Sequence, residues 1–218
     1  MYMRFTDIIG QRITPLLLCM IIAFISCGKK ELPSKPAVPQ TNIYSSESVF
    51  DEVKKKLQNN PNDIDALYHL ADLYDRNAQY NEAIDAYKKV ISLKPDMGYA
   101  YFKMGTAYDR LGKADEAVAA FKKAAKFMPD HPVLYNNMGV AYGKLGKLDE
   151  EIAALKRATK LRPVYSAARY NLGIVYLKKK NKKAAMQEYE SLKKFDAGAA
   201  ESLLKEINPS QTVKKGEK

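Results

Sequence analysis

Pro61, Pro95, Pro129 and Pro163 each stand 34 residues from the next. Aligning the chain on that interval brings much else into register. Tyr74, Tyr108, Tyr142 and Tyr176 share a column, as do Leu70, Met104, Met138 and Leu172, and beside them Ala71, Gly105, Gly139 and Gly173. Later in each unit Ala83, Ala117, Glu151 and Ala185 align, followed by Tyr87, Phe121, Leu155 and Tyr189. A unit of this size cannot bury its apolar face alone and must stack on copies of itself. Apolar spacings of three and four within each half predict two amphipathic helices per unit. Each proline closes its unit, because it has no N–H to donate and clashes with the preceding turn.

The period places four units at residues 64–97, 98–131, 132–165 and 166–199. Gly112 and Gly146 offer a left-handed cap to the first helix, and Asp115 and Asp149 are expected to cap the second. Before the array, residues 45–63 predict a half-repeat helix with Val49, Val53 and Leu57 on one stripe. After it, residues 200–207 predict a capping helix with Leu203, Leu204 and Ile207 facing inward, followed by a disordered tail over 208–218. The fourth unit is the least regular, with Ala197 for the proline and Lys183 for the acid, and it is expected to fray first. Glu151 replaces a small residue and is expected to turn outward, keeping its carboxylate in water.

The run Tyr101-x2-Met104-Gly105-x2-Tyr108, then Ala117-x3-Phe121, then Pro129, resembles the tetratricopeptide repeat pattern, although no unit opens on Trp. The resemblance implies an all-α, right-handed superhelical solenoid of helix-turn-helix repeats with capping helices. It also implies that the first helices line a concave groove for a peptide or protein. Carried over position by position, that groove would be lined by Tyr68, Asp72, Tyr99, Phe102, Thr106, Asn136, Asn137, Val140, Tyr170, Asn171 and Ile174. Asn137 and Asn171 stand where some members hold a ligand's backbone, while His69 and Lys103 interrupt that ladder. The lysine and asparagine set that clamps chaperone tails is not matched.

The front of the chain is different in kind. Arg4 and Arg12 precede an apolar run from Ile13 to Ile25. That run is too short to cross a bilayer as a helix, which takes about 20 residues. A positive start, a short apolar middle and a small residue before the cut form a secretory signal peptide. Phe24, Ile25 and Ser26 before Cys27 resemble the end of a bacterial lipoprotein signal, which implies a lipid on Cys27 as the new first residue. An ordinary signal peptide or an uncleaved N-terminal anchor would use the same run. Gly28 is not the Asp that retains many lipoproteins at the inner membrane, which favours the outer one. Pro33, Pro36 and Pro39 then mark residues 28–44 as an extended linker, roughly 50 Å long at about 3.1 Å per residue.

Little else carries chemistry. The two histidines, His69 and His131, are 62 residues apart, and no pair of cysteines or histidines has metal-ligand spacing. The glycines of residues 139–147 (GVAYGKLGK) lie in the repeat's own columns, and their spacing is not that of a phosphate loop. No catalytic residue, metal or cofactor is expected beyond the lipid on Cys27. The sequence reads as an envelope scaffold or assembly factor, pilotin-like or an adaptor, binding a protein or peptide. Net charge climbs through the four units as −2, +2, +3 and +5 within a chain of +11. An alternative reading therefore gives Lys178, Lys179, Lys180, Lys182 and Lys183 to an anionic envelope polymer or lipid. Export makes nucleic acid a poor partner despite the basic balance.

Overall fold

The computed structural model describes residues 46–209. The expected signal sequence, Cys27, the expected linker and the tail from residue 210 onward lie outside the described residues. The described part holds ten helices: α1 (Ser46–Asn59), α2 (Ile64–Arg76), α3 (Tyr80–Leu93), α4 (Gly98–Arg110), α5 (Ala114–Phe127), α6 (Pro132–Lys144), α7 (Leu148–Leu161), α8 (Ser166–Lys178), α9 (Lys182–Leu192) and α10 (Ala197–Ile207). The described residues fall within one compact unit. Each helix packs on the next, which makes the array an all-α solenoid.

The helix boundaries follow from local chemistry. Pro95, Pro129 and Pro163 come directly after the residues that cap α3, α5 and α7, namely Lys94, Met128 and Arg162. Between first and second helices the turn needs one residue in the left-handed region. Gly112 (φ 73°) and Gly146 (φ 69°) supply it without strain, whereas Ala78 (φ 59°) and Lys180 (φ 58°) supply it despite a Cβ. This turn is so short that α5 and α7 start at Ala114 and Leu148. Asp115 and Asp149 therefore lie inside the first turn and make no capping hydrogen bond, contrary to the sequence expectation. They act through the positive end of the helix dipole instead. The fourth repeat reverses the expectation: Asn181 Oδ1 accepts from the Ala184 N–H at 3.0 Å and caps α9.

Each core is closed by the first helix of the following repeat. Leu67, Ala71, Ala83, Tyr87 and Val90 of one repeat pack with Ala100 of the next. Tyr101, Ala117, Phe121 and Ala124 pack with Leu134 and Ala141. Leu155 and Ala158 pack with Ala168, Leu172 and Val175. A buried Leu or Phe contributes about 1.5–3 kcal/mol over an exposed one, so most of the stability lies in these seams. The glycine column exists because helices approach there: a Cβ on Gly105 would lie 2.7 Å from the Phe121 ring, and one on Gly139 2.8 Å from Leu155.

The last repeat solves the same problem differently. α9 has 11 residues where α3, α5 and α7 have 14. Tyr189, in the aromatic column, is only half-buried, and a Cβ on Gly173 would meet Leu203 of α10 at 2.5 Å. The terminal helix thus inserts the knob that a second helix inserts elsewhere. It begins at Ala197, where Asp196 Oδ1 accepts from the Ala199 N–H at 2.9 Å. At the other end α1 buries Val53, and Phe50 meets the Tyr74 ring at 5.3 Å.

Candidate functional site

The curvature of the array decides which face can hold a ligand. First helices of successive repeats touch, α4 to α6 and α6 to α8, while successive second helices do not pack together to the same extent. The first helices therefore form the inner wall. On it, polar side chains cross from repeat to repeat. Arg110 Nη1 donates to Asp75 Oδ1 at 2.8 Å, and Lys144 Nζ to Asp109 Oδ1 at 2.7 Å. Lys103 Nζ donates to Asp72 Oδ1 at 2.7 Å, and Arg76 holds the same carboxylate at 2.7 Å. Burial by itself would raise the Asp72 carboxyl, but Lys103 and Arg76 outweigh it and hold it below the usual carboxylate range.

The pairing rule, an acid in one repeat and a cation 35 residues later, fails at the next step. Gly143 stands in the column of Asp75 and Asp109. Its cation Lys178 instead meets Glu151 Oε1 of α7 at 3.7 Å. Glu151 is not turned outward: it is 5% exposed, and its carboxylate fills the space beside Gly143, where a Cβ would lie 2.8 Å from Oε1. The missing side chain of Gly143 is what lets the acid in. Glu151 Oε2 has no hydrogen-bond partner among the described residues. Burial raises the Glu151 carboxyl above its ordinary value, and Lys178 counters only part of this.

A cavity of about 270 Å³ opens here, lined by Val140, Gly143, Lys144, Glu151, Asn171, Ile174 and Lys178. It gathers three of the groove residues the sequence singled out, Val140, Asn171 and Ile174, together with Lys178 of the basic turn. Its neighbours Asn136 and Asn137 join it through an amide chain. Asn171 Nδ2 donates to Asn136 Oδ1 at 3.1 Å, and Asn136 Nδ2 to Asn137 Oδ1 at 3.2 Å. Glu151 was missed as a wall residue; the signal was present in Gly143, whose column is acidic in the two preceding repeats.

The aromatic candidates divide. Tyr68, Phe102 and Tyr170 are half-buried against the cores, with Tyr68 edge-on to Tyr87 at 5.8 Å and Phe102 at 6.0 Å from Phe121. Tyr99 is 52% exposed and sits edge-on to His131 at 5.7 Å. His131 also touches Phe102 at 5.2 Å, and its Nδ1 accepts from the Leu134 N–H at 3.1 Å, capping α6. Burial, then the charge of Arg162, depresses the His131 imidazolium, which suits a ring that must accept. Thr106 Oγ1 turns back to the Phe102 carbonyl at 3.1 Å.

The basic turn is partly spoken for. Lys178 faces Glu151, Lys179 pairs with Asp149, and Lys182 Nζ donates to Asn208 Oδ1 at 2.7 Å. Lys180 and Lys183 are exposed. Among the described residues no three His, Cys, Asp or Glu side chains come together as a metal ion would need. No described helix is long and apolar enough to cross a membrane.

A tetratricopeptide repeat family profile matches residues 68–132 and 136–200. Among solved structures, a crystal structure of MamA superposes with a TM-score of 0.68 at 22% identity, covering 72% of this chain and 91% of that one. TTC0263, a thermophilic TPR protein in Thermus thermophilus, gives 0.56 at 24% identity, covering 73% and 90%. The first TPR of Spaghetti (RPAP3), bound to the HSP90 peptide SRMEEVD, gives 0.51 at 25% identity, covering 52% and 90%. No curated protein matches the sequence.

Proposed function

Because the chain belongs to the tetratricopeptide repeat family, we propose that it is a protein-interaction scaffold tethered to a bacterial envelope membrane. In this reading Cys27 carries the lipid, residues 28–44 form the stalk, and the inner wall receives an extended segment of another envelope protein. The role is that of an assembly factor, in the manner of a pilotin or a complex adaptor, at the outer membrane and facing the periplasm.

The observation that carries the binding half is the inner-wall cavity, with apolar Val140 and Ile174 beside the amide of Asn171 and the two ammonium groups of Lys144 and Lys178. A cleft with apolar walls and a few fixed polar groups orients a peptide by its backbone and one or two side chains. That a neighbour of similar fold holds a peptide supports the same use here. The anchoring half is supported by the sequence around Cys27.

Photo-crosslinkers placed singly at Ile174 and Tyr99 of the inner wall, and at Lys122 of the outer face, test the binding half in intact cells. One partner should be captured from the two inner positions and not from Lys122. Equal capture from all three, or none from the inner wall, would reject it. Cys27→Ser tests the anchor separately: the protein should leave the membrane fraction, and retention there would reject a lipid on that sulfur.

A further inference from the structure

One buried group on the inner wall is left incomplete by the contacts of the described residues. Glu151 is 5% exposed, and its Oε2 has no hydrogen-bond partner among those residues. Lys178 approaches the other oxygen only to 3.7 Å, longer than a hydrogen bond. Buried acceptors in folded chains nearly always have a donor, because the water they give up must be replaced. This carboxylate lies against Gly143, and both residues line the cavity of about 270 Å³. The acceptor is thus placed where a ligand, and not another part of the chain, can supply the missing donor.

The rest of the cavity narrows the chemistry of that ligand. Asn171 donates through Nδ2 to Asn136 Oδ1 at 3.1 Å, which leaves Asn171 Oδ1 without a donor among the described residues. Lys144 Nζ is committed, donating to the Asp109 carboxylate at 2.7 Å and to the Asp109 carbonyl at 3.2 Å. Lys178 is 46% exposed and still has hydrogens to donate. Asp109 and Glu151 balance Lys144 and Lys178, so these four groups carry no net charge. A carboxylate or a cation entering the cavity would leave one charge unbalanced in a half-closed site, which costs desolvation free energy.

From these donors and acceptors we infer that the cavity takes a primary amide, the side chain of a glutamine or asparagine in the bound segment. Its NH2 group has two hydrogens to donate, one for the Glu151 carboxylate and one for Asn171 Oδ1, and its carbonyl accepts from Lys178 Nζ. Val140 and Ile174 offer apolar walls to the methylenes behind it. A backbone amide or a hydroxyl has one hydrogen and would satisfy only one of the two acceptors. Glu151 is then a specificity residue: its orphaned oxygen gains a donor only when the right side chain is present. The inference rests on the inner wall being a peptide groove and deepens that reading.

Selection of phage-displayed random peptides on the full-length protein in detergent, followed by titration of the selected peptide, tests this. One peptide position should converge on Gln or Asn. Replacing that residue by Met or Leu, which keeps its length without a donor, should weaken binding to the native protein by about tenfold or more. The same replacement should cost less than about threefold against Glu151→Ala. Asn171→Ala, the second variant, should narrow the ratio in the same direction, and Lys122→Ala on the outer face should leave it unchanged. Peptides weakened by Tyr99→Ala or Ile174→Ala that converge instead on a charged residue, or whose amide preference survives both Glu151→Ala and Asn171→Ala, would overturn the inference and leave the groove standing. Peptides indifferent to every inner-wall substitution, or no selected peptide at all, would overturn both.

Discussion

Glu151→Ala should make this protein more stable at neutral pH, although it removes one partner of an ion pair. The native carboxylate is 5% exposed, Oε2 has no hydrogen-bond partner among the described residues, and Oε1 lies 3.7 Å from Lys178. A buried polar oxygen without a partner costs about 1–3 kcal/mol. The pair offsets little of this, because Lys178 is 46% exposed and solvent screens it; such pairs are worth about 0–1 kcal/mol. The vacated space joins the inner-wall cavity, where water can enter, so the void term stays small. The net expectation is a gain of about 1 kcal/mol.

Gly143→Ala then tests the coupling. In the native chain the new Cβ would lie 2.8 Å from the Glu151 carboxylate, and overpacking of this kind costs about 1–3 kcal/mol. In the Glu151→Ala background the clash is gone, and replacing a glycine in the last turn of α6 gains up to about 1 kcal/mol. The four proteins of the cycle should therefore show a coupling of about 2 kcal/mol or more. Urea unfolding at equal m-value reads it. The sign of the pH dependence is also fixed. A carboxyl raised in the folded state destabilises only once it ionises, so the native chain loses stability as pH rises from the unfolded value of 4.5 through the folded value. The advantage of Glu151→Ala should shrink as pH falls through the folded value toward 4.5 and be smallest below it. A coupling under about 0.5 kcal/mol, or a net loss from Glu151→Ala at neutral pH, would refute the exchange of acid for glycine.

Three further expectations rest on single residues. Tyr87 is fully buried with Oη unpartnered among the described residues, in a column where the next repeat has Phe121; Tyr87→Phe should raise stability by about 1 kcal/mol in urea unfolding. Gly112→Ala and Gly146→Ala force a Cβ into φ 73° and 69° and should each cost about 1–2 kcal/mol, while Lys180→Gly, from φ 58°, should raise the melting temperature. His131 caps α6 as a neutral ring with its imidazolium depressed, so its contribution is complete above the unfolded value of 6.5 and is lost as pH falls through the folded value. His131→Asn keeps a capping acceptor and should flatten the stability profile between those two values, as urea midpoints across that range would show.

What the sequence disclosed, and what it hid, follows from how far each interaction reaches. The solenoid was legible because its signal is repeated: one period sets the helix pairs, the glycine approach and the proline ends together. The capping acids were misplaced by about a residue or two because a one-residue left-handed turn delivers the chain to Ala114 and Leu148, which position counting does not reveal. Glu151 was misread for a different reason. Its column alone shows an acid among alanines, which argues for a side chain turned to water. Only together with the column of Asp75, Asp109 and Gly143 does the pair become intelligible, an acid lost from a first helix and regained from the second helix packed on it, facing the same cation. The groove aromatics teach the same lesson. Tyr68, Phe102 and Tyr170 occupy wall positions, yet each also borders a seam, so their rings are shared between wall and core. Tyr99, at the start of α4, meets only the edge of the His131 ring among the aromatic contacts of the described residues and stays exposed. A column states what a position needs within one repeat. The chemistry particular to this chain arises where two columns depart from their pattern at once, and that is where the inner-wall cavity lies.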